Sequence, residues 1–239
     1  MRPLNPELKK SLAHAATVYQ AQMDSSGLEY LARRGLGVAV ADEYRIGLAS
    51  SPLDGHDHMR GRLVIPHIGP EGNIYDLRFR CIAHEDCKEA GCKSKYMGLP
   101  GVQTRTFNTR AIAMAGDTLH ITEGEIDAIS LGAAGFHAIG IPGVNALPRH
   151  FSRMVAGFSK LTLWADGDDA GRGLAEKVSR VVPTVRILVM RAGQDVNSIL
   201  VEGGADALRK LDAGEPYTGP DVSAPEVADD DRYAGPPPF

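Results

Sequence analysis

The sequence contains no apolar run of 18 residues, so nothing in it should span a membrane. Its first residues, Met1-Arg2-Pro3-Leu4-Asn5-Pro6, lack the apolar segment of a signal peptide. It has only three cysteines in 239 residues, and this odd number argues against a secreted disulfide scaffold. These absences predict a cytoplasmic protein, and the 43% of hydrophobic residues suit a core of one or two domains.

The net charge of −4 is unevenly spread along the chain. Residues 213–239 hold six acids against one arginine, together with six of the fifteen prolines, which leaves residues 1–212 at +1. Residues 56–110 carry nine Lys and Arg against six Asp and Glu, a net of +3. We therefore expect a disordered acidic tail over 213–239 and a basic segment suited to a polyanion.

Before residue 109 the pattern predicts helices followed by strands. Asn5-Pro6 is typical of a helix start, and apolar residues then recur at helical spacing. Further helices are predicted from Ser26 to Gly35 and over 39–46. Residues 62–68 and 73–80 predict two strands joined by a turn, and hence a hairpin.

From about residue 111, strands and helices alternate. The predicted strands lie near 118–122, 136–141, 160–165 and 184–190. The predicted helices lie near 125–134, 147–156, 170–181 and 195–211. Such alternation implies an α/β fold, with a mainly parallel sheet that is covered on both faces and binds ligands at the carboxyl ends of its strands.

Acidic turns follow three of the predicted strands. They are Glu123-Gly124-Glu125-Ile126-Asp127, Asp166-Gly167-Asp168-Asp169-Ala170-Gly171 and Gly193-Gln194-Asp195. Carboxylates gathered at one edge repel one another unless a cation neutralises them, so the pattern indicates a divalent-metal site and phosphate chemistry. The alternative is that each acid caps or begins a helix, where it favours the helix dipole.

The combination of Glu123-Gly-x-x-Asp127 with Asp166-x-Asp168-x-x-Gly171 resembles the Toprim domain of topoisomerases, bacterial-type primases and several nucleases. The resemblance implies a parallel four-stranded sheet flanked by helices. It also implies that Glu123, Asp166 and Asp168 bind Mg²⁺ or Mn²⁺, with support from Asp127 and Asp195.

Further segments resemble, in order and spacing, the catalytic core of bacterial DnaG-type primases across roughly residues 26–203. They are 28–36, 44–49, 60–66, 72–80, 95–100 and 193–197. Asn197 stands where that family usually has a second Asp. The resemblance implies a smaller α+β basic subdomain over 1–108, a Toprim domain over 109–212, and then the acidic tail.

The function implied is that of a DNA primase core, which makes short RNA primers on a single-stranded DNA template from ribonucleoside triphosphates. Basic side chains would contact template and triphosphate. They are Arg60, Arg62, Arg78, Arg80, Lys93 and Lys95. Tyr75, Phe79 and Tyr96 are candidates for stacking on bases.

The chain resembles a stand-alone, shortened core of the kind that phages and mobile elements encode. No four-cysteine zinc ribbon precedes the core and no helicase-binding domain follows it. A replicative helicase or a single-strand-binding protein is a candidate partner. The tail, which ends in Pro-Phe, would dock on such a protein or simply act as an inert solubilising segment.

Two other functions stay open. A Toprim nuclease would use the same metal site to hydrolyse a phosphodiester, although the basic segments favour primer synthesis. A non-catalytic module would keep the fold and bind only nucleic acid or a partner.

One inserted segment offers four zinc-type ligands, Cys81, His84, Cys87 and Cys92. Tetrahedral zinc takes four sulfur or nitrogen donors, and these spacings are close to those of small zinc knuckles. The alternative is a polar hairpin with free thiols. His56 and His58 lie nearby and could replace a ligand.

Overall fold

The computed structural model describes residues 4–84, 87, 90, 92, 94–102, 105–141, 147–215 and 217. The predicted disordered tail falls almost entirely outside these residues, and so does Lys93. Among the helices that the structure describes, none is both long and apolar enough to cross a lipid bilayer.

The first half of the chain builds helices against an antiparallel sheet with the strand order β1-β2-β3-β4. Its elements are α1 (Pro6–Ala21), α2 (Ser25–Arg33), α3 (Val38–Glu43), β1 (Gly47–Leu48), a 3₁₀ turn (Asp57–Met59), β2 (Leu63–Ile68), β3 (Ile74–Arg80) and β4 (Tyr96–Gly98). Asn5 caps α1, because its side chain accepts the Glu7 N–H at 2.9 Å. The predicted helices and the β2–β3 hairpin are all present, whereas β1 and β4 were not expected.

The second half is a parallel sheet with the strand order β6-β5-β7-β8. Its elements are α4 (Arg110–Met114), β5 (Thr118–Thr122), α5 (Glu125–Ala133), β6 (Ala138–Gly140), α6 (Phe151–Val155), β7 (Lys160–Ala165), α7 (Asp169–Val181), β8 (Arg186–Val189) and α8 (Val196–Asp212). The α/β fold with a parallel four-stranded sheet is thus confirmed. Only the short helix α4 was not expected.

The winding of this sheet reverses between β5 and β7. The chain passes from β5 outward to β6 and then returns to the other side of β5 to form β7. The loops after β5 and β7 therefore diverge and leave a crevice beyond the carboxyl ends of these strands. Glu123 follows β5 and Asp166 follows β7, so both carboxylates border that crevice.

The largest hydrophobic core is shared by the two sheets. Leu63 and Ile65 of β2 lie in one buried cluster with Ile126 and Ile129 of α5 and Leu208 of α8. Helices α6 and α7 cover the opposite face of the parallel sheet. The boundary predicted at 108/109 stays a prediction, and this core extends across it.

A third core lies between α1 and the β2–β3 hairpin. Phe79 is fully buried there, and its ring meets that of Tyr19 edge to face at 5.9 Å. Stacking of a base on Phe79 is therefore ruled out, because no face of its ring reaches the surface.

We predict that Gly47→Ala destabilises the packing of α1 on β1. A Cβ at Gly47 would lie 2.3 Å from the carbonyl carbon of Tyr19, which belongs to the backbone and cannot rotate away. The free energy of unfolding should fall by roughly 1–3 kcal/mol in urea, with an unchanged m-value.

Gly116→Ala is the matched control for this substitution. A Cβ at that exposed glycine meets nothing within 4 Å among the described residues. Its free energy of unfolding should stay within about 0.5 kcal/mol of the parent. Equal effects at the two glycines would contradict the packing argument.

Candidate active site

Five carboxylates gather where the parallel strands end, and we call them the acidic edge. They are Glu123, Asp127, Asp166, Asp168 and Asp195. Small residues allow the turns between them. A Cβ at Gly124 would lie 2.7 Å from Asp127 Oδ2, and one at Gly171 would lie 2.2 Å from the backbone oxygen of Asp166. Gly171 is therefore required sterically, because the atoms it meets belong to the backbone, whereas the atom near Gly124 is the end of a side chain.

Two neighbouring cavities meet at this edge. The small cavity, of about 360 Å³, has Glu123, Asp127, Asp166 and Asp195 on its acidic side. The large cavity, of about 800 Å³, extends from it along α2 and the start of α8. Both cavities share three cationic side chains, Arg34, Arg80 and Lys95. Acidic and basic groups from the two halves of the chain thus face a common space.

Glu123 and Asp166 lie in surroundings that oppose their ionisation. Burial and then the charge of Asp168 raise the pKa of Glu123. Burial, followed by the charges of Asp127 and the other edge carboxylates, raises the pKa of Asp166 to about 8. In the described part of the chain, Glu123 Oε2 and Asp166 Oδ1 are buried and meet no hydrogen-bond donor. Such oxygens fit a divalent cation, since hard cations take carboxylate ligands.

Asp127 is buried and connects the edge to α8. Burial, followed by the charge of Asp195, raises its pKa to about 7. Its Oδ1 accepts the N–H of Asn197 at 3.1 Å. The Asn197 amide then donates to the backbone oxygen of Arg34 at 2.8 Å and accepts from the Arg34 guanidinium at 3.1 Å. Asn197 therefore fixes Arg34 beside the acidic edge.

Asp168 and Asp195 also begin helices, as the alternative reading of the sequence expected. Asp168 Oδ1 accepts the N–H of Gly171 at 2.8 Å at the start of α7. Asp195 and Ser198 form a reciprocal capping box at the start of α8. A cap uses one carboxylate oxygen and leaves the other available. Their assignment as metal ligands stays a prediction.

Arg80 is held rigidly at the junction of the cavities. It is buried, its Nε donates to the hydroxyl of Tyr30, and its Nη1 donates to the hydroxyl of Tyr96. Its guanidinium carbon lies 4.9 Å from the ring centroid of Tyr96. Burial, together with the charges of Arg80 and Arg34, lowers the pKa of Lys95 nearby. An anion entering this space would relieve that crowding of positive charge.

Arg78 reaches the edge through Glu125, a residue that sequence reasoning did not select. Arg78 Nε lies 3.6 Å from Glu125 Oε1, and His67 Nε2 lies 3.3 Å from the same oxygen. Burial alone would raise the pKa of Glu125, but the hydrogen bond and charge of His67 and the charge of Arg78 lower it. Its position inside the motif Glu123-Gly-Glu125 was the available signal.

Two predicted nucleic-acid contacts lie away from both cavities. Arg60 is exposed and donates to the backbone oxygen of Ser50 at 3.1 Å. Arg62 is 8% exposed and donates to the backbone oxygen of Ser94 at 3.0 Å and to Cys92 Sγ at 3.4 Å. The structure therefore brings Arg78, Arg80 and Lys95 to the acidic edge, but not these two.

The cysteines of the inserted segment are gathered beside the large cavity. The sulfur atoms of Cys81, Cys87 and Cys92 all lie within 4.8 Å of one another. His84 Nδ1 lies 3.6 Å from Cys81 Sγ. His56 instead pairs with the hydroxyl of Tyr19 at 2.7 Å.

Known proteins resemble the chain in sequence. The family described as Toprim-like matches residues 120–200. The Gene 57 protein of Mycobacterium phage D29 is 40% identical over 116 residues, which cover 48% of this chain and 76% of that protein. The DNA primases of two Helicobacter pylori strains are 23% identical over 208 residues. That match covers 70% of this chain but only 36% of each primase, so the chain spans about a third of their length.

Solved structures show the same fold. The RNA polymerase domain of the Mycobacterium tuberculosis primase DnaG is 20% identical with a TM-score of 0.69, covering 88% of this chain and 84% of that domain. A DnaG primase catalytic domain bound to single-stranded DNA is 18% identical with a TM-score of 0.67, covering 86% of this chain and 78% of that one.

We predict that the metal-free protein becomes less stable as the pH rises from about 5.5 to about 8.5. Asp166 and Asp127 keep protons in the folded protein to about pH 8 and about pH 7, whereas an unfolded chain has released them above about pH 4. The native state therefore binds more protons in this window, and stability falls by on the order of 2 kcal/mol. Urea unfolding at each pH measures the change.

Asp166→Asn should flatten this pH dependence and stabilise the metal-free protein at the alkaline end. Asp169→Asn is the control, because Asp169 is almost fully exposed and lies three residues away. Added Mg²⁺ should stabilise the parent at the alkaline end but not Asp166→Asn. An unchanged pH profile in Asp166→Asn would refute the electrostatic account.

Proposed function

The chain belongs to the same family as the Gene 57 protein of Mycobacterium phage D29 and has the fold of a DnaG-type primase catalytic core with a Toprim domain, and on this premise we propose that it synthesises short RNA primers on single-stranded DNA. One observation carries the proposal. Arg34, Arg80 and Lys95 line both the cavity that contains the acidic edge and the larger cavity beside it.

Glu123, Asp166 and Asp168 hold Mg²⁺ or Mn²⁺ in this proposal, with Asp127 and Asp195 supporting them. The buried, unpartnered oxygens of Glu123 and Asp166 support the assignment. A bound cation of this kind favours the ionised primer-end hydroxyl and neutralises charge on the triphosphate.

The basic side chains bind and orient the triphosphate. Arg80 is fixed by two tyrosine hydroxyls before any substrate arrives, so little reorganisation is needed when an anion binds. Arg78 is oriented by Glu125 toward the same space. The lowered pKa of Lys95 reflects crowded positive charge, which a triphosphate relieves. The protein therefore contributes positioning and charge compensation.

Single-stranded DNA is the proposed template, and ribonucleoside triphosphates are the proposed substrates. The solved DnaG catalytic domain bound to single-stranded DNA supports this choice through its shared fold. The large cavity, which also contains Tyr30 and Arg33, offers an aromatic and basic surface of the kind that binds single strands. A helicase or single-strand-binding partner for the tail stays a prediction from the sequence.

We predict that Asp168→Asn lowers labelled ribonucleotide incorporation by at least about 100-fold on a single-stranded template with Mg²⁺ or Mn²⁺. Asparagine is as good a helix cap as aspartate, so α7 should be preserved and the loss should report on charge alone. Asp169→Asn, one residue along the chain and exposed, should keep the parental rate.

The same reactions distinguish the alternatives. A nuclease would cleave the DNA in a metal-dependent reaction without nucleotides, and Asp168→Asn would lose this cleavage. A non-catalytic module would bind the template equally well in the parent and in Asp168→Asn, and neither protein would synthesise primers or cleave the DNA. Either outcome would overturn primer synthesis.

A further inference from the structure

The thiol cluster in the β3–β4 connection has the dimensions of a metal site. Ligand atoms around tetrahedral zinc lie about 3.7 Å apart, given zinc–sulfur bonds of about 2.3 Å. Cys81 Sγ and His84 Nδ1 are already 3.6 Å apart, and the three sulfurs lie within 4.8 Å of one another. The three sulfurs form the cluster itself, and His84 lies beside it through its contact with Cys81.

The charges around the cluster also fit. Three thiolates and a neutral imidazole around Zn²⁺ carry a net charge of −1. Arg62 is buried, and its guanidinium lies 3.4 Å from Cys92 Sγ. A buried cation is costly without an anionic partner, and a zinc thiolate centre supplies one. This accounts for an arginine that points away from the two cavities.

We propose that Cys81, His84, Cys87 and Cys92 bind one zinc ion, and that this site fixes the backbone that presents Lys95 to the cavities. On binding, the three thiols release their protons to solvent and the imidazole coordinates in its neutral form. The site is separate from the acidic edge, which offers only oxygen ligands suited to Mg²⁺ or Mn²⁺.

Short hydrogen bonds connect the cluster to Lys95. The N–H of Cys81 donates to the backbone oxygen of Lys95 at 2.9 Å. The N–H of Cys92 donates to the backbone oxygen of Cys87 at 2.8 Å. Arg62 bonds both Cys92 and the backbone oxygen of Ser94, next to Lys95. Zinc would therefore hold both ends of the connection between β3 and β4, and Lys95 lies directly before β4.

The first test measures metal content in the full chain, purified under reducing conditions. We expect about one zinc per chain by elemental analysis. Replacement by Co²⁺ should give the thiolate charge-transfer and visible bands of a tetrahedral site. Absence of zinc, with no cobalt thiolate spectrum and three freely titrating thiols, would overturn the proposal. So would a disulfide between two of the cysteines in the purified protein.

Two histidine variants test the ligand set. His84→Ala should weaken zinc binding at least about tenfold. Loss of a residue that only supports a metal ligand already costs about tenfold in metal affinity, and loss of the ligand itself costs no less. His14→Ala is the matched control, since His14 is also exposed but lies on α1 and was never a candidate ligand. Equal affinities in the two variants would remove His84 from the site. Since His84 is exposed, its replacement should leave the fold intact.

The second test measures the effect on Lys95 independently of activity. A zinc-selective chelator, applied with Mg²⁺ present, should speed hydrogen exchange at the Cys81 amide, whose acceptor is Lys95, and over β4. Exchange within β5 and β7 should not change. Unchanged exchange at Cys81 would refute the positional role. Zinc content and exchange do not depend on primer synthesis, so failure of the proposed function leaves both readouts interpretable.

Discussion

Repulsion among carboxylates at one edge of the parallel sheet is the constraint on which the site depends. Two neighbouring acids on one short segment have pKa values shifted in opposite directions. Glu123 has a raised pKa, because burial and Asp168 oppose its ionisation. Glu125, two residues on, has a lowered pKa despite its burial, because His67 and Arg78 lie against it. Glu125 therefore stays ionised and orients an arginine, whereas the ionised form of Glu123 is disfavoured.

The cations opposite this edge come from the antiparallel half of the chain. Arg78 and Arg80 are on β3, and Lys95 lies directly before β4. Hydroxyls of Tyr30 and Tyr96 hold Arg80 at the cavities. Neither sheet alone contains both signs of charge in the required arrangement. The meeting of acidic and basic groups in one space is thus a property of how the two sheets pack.

Much of the fold could be read from the sequence, because strands buried on both faces leave continuous apolar runs between amphipathic helices. The strands β1 and β4 could not, since two or three residues make no periodic pattern. The sequence offered Phe79 as a candidate for stacking on a base, because it could not show that α1 covers the Phe79 side of β3. A wrong stacking assignment resulted.

Site residues were predictable where they lay beside a strand end, and less so where distant segments meet. Glycine spacing located Glu123 and Asp166. Arg34 was not predicted, because its hydrogen bond to Asn197, which holds it beside the acidic edge, connects residues 163 positions apart in the chain. Charge counts identified a basic segment but not the direction of each side chain, so Arg62 was grouped with residues that face the cavities.

The shared core has a consequence for how such a protein can be divided. Apolar side chains of α2, α3 and β2 pack with those of α5 and α8 in one cluster. A fragment cut near residue 108 would carry an uncovered apolar face on each piece, which favours aggregation over independent folding. Transfer of the acidic sheet alone to another protein would fail for the same reason. Only the two sheets together form a unit that could be transferred intact to another protein.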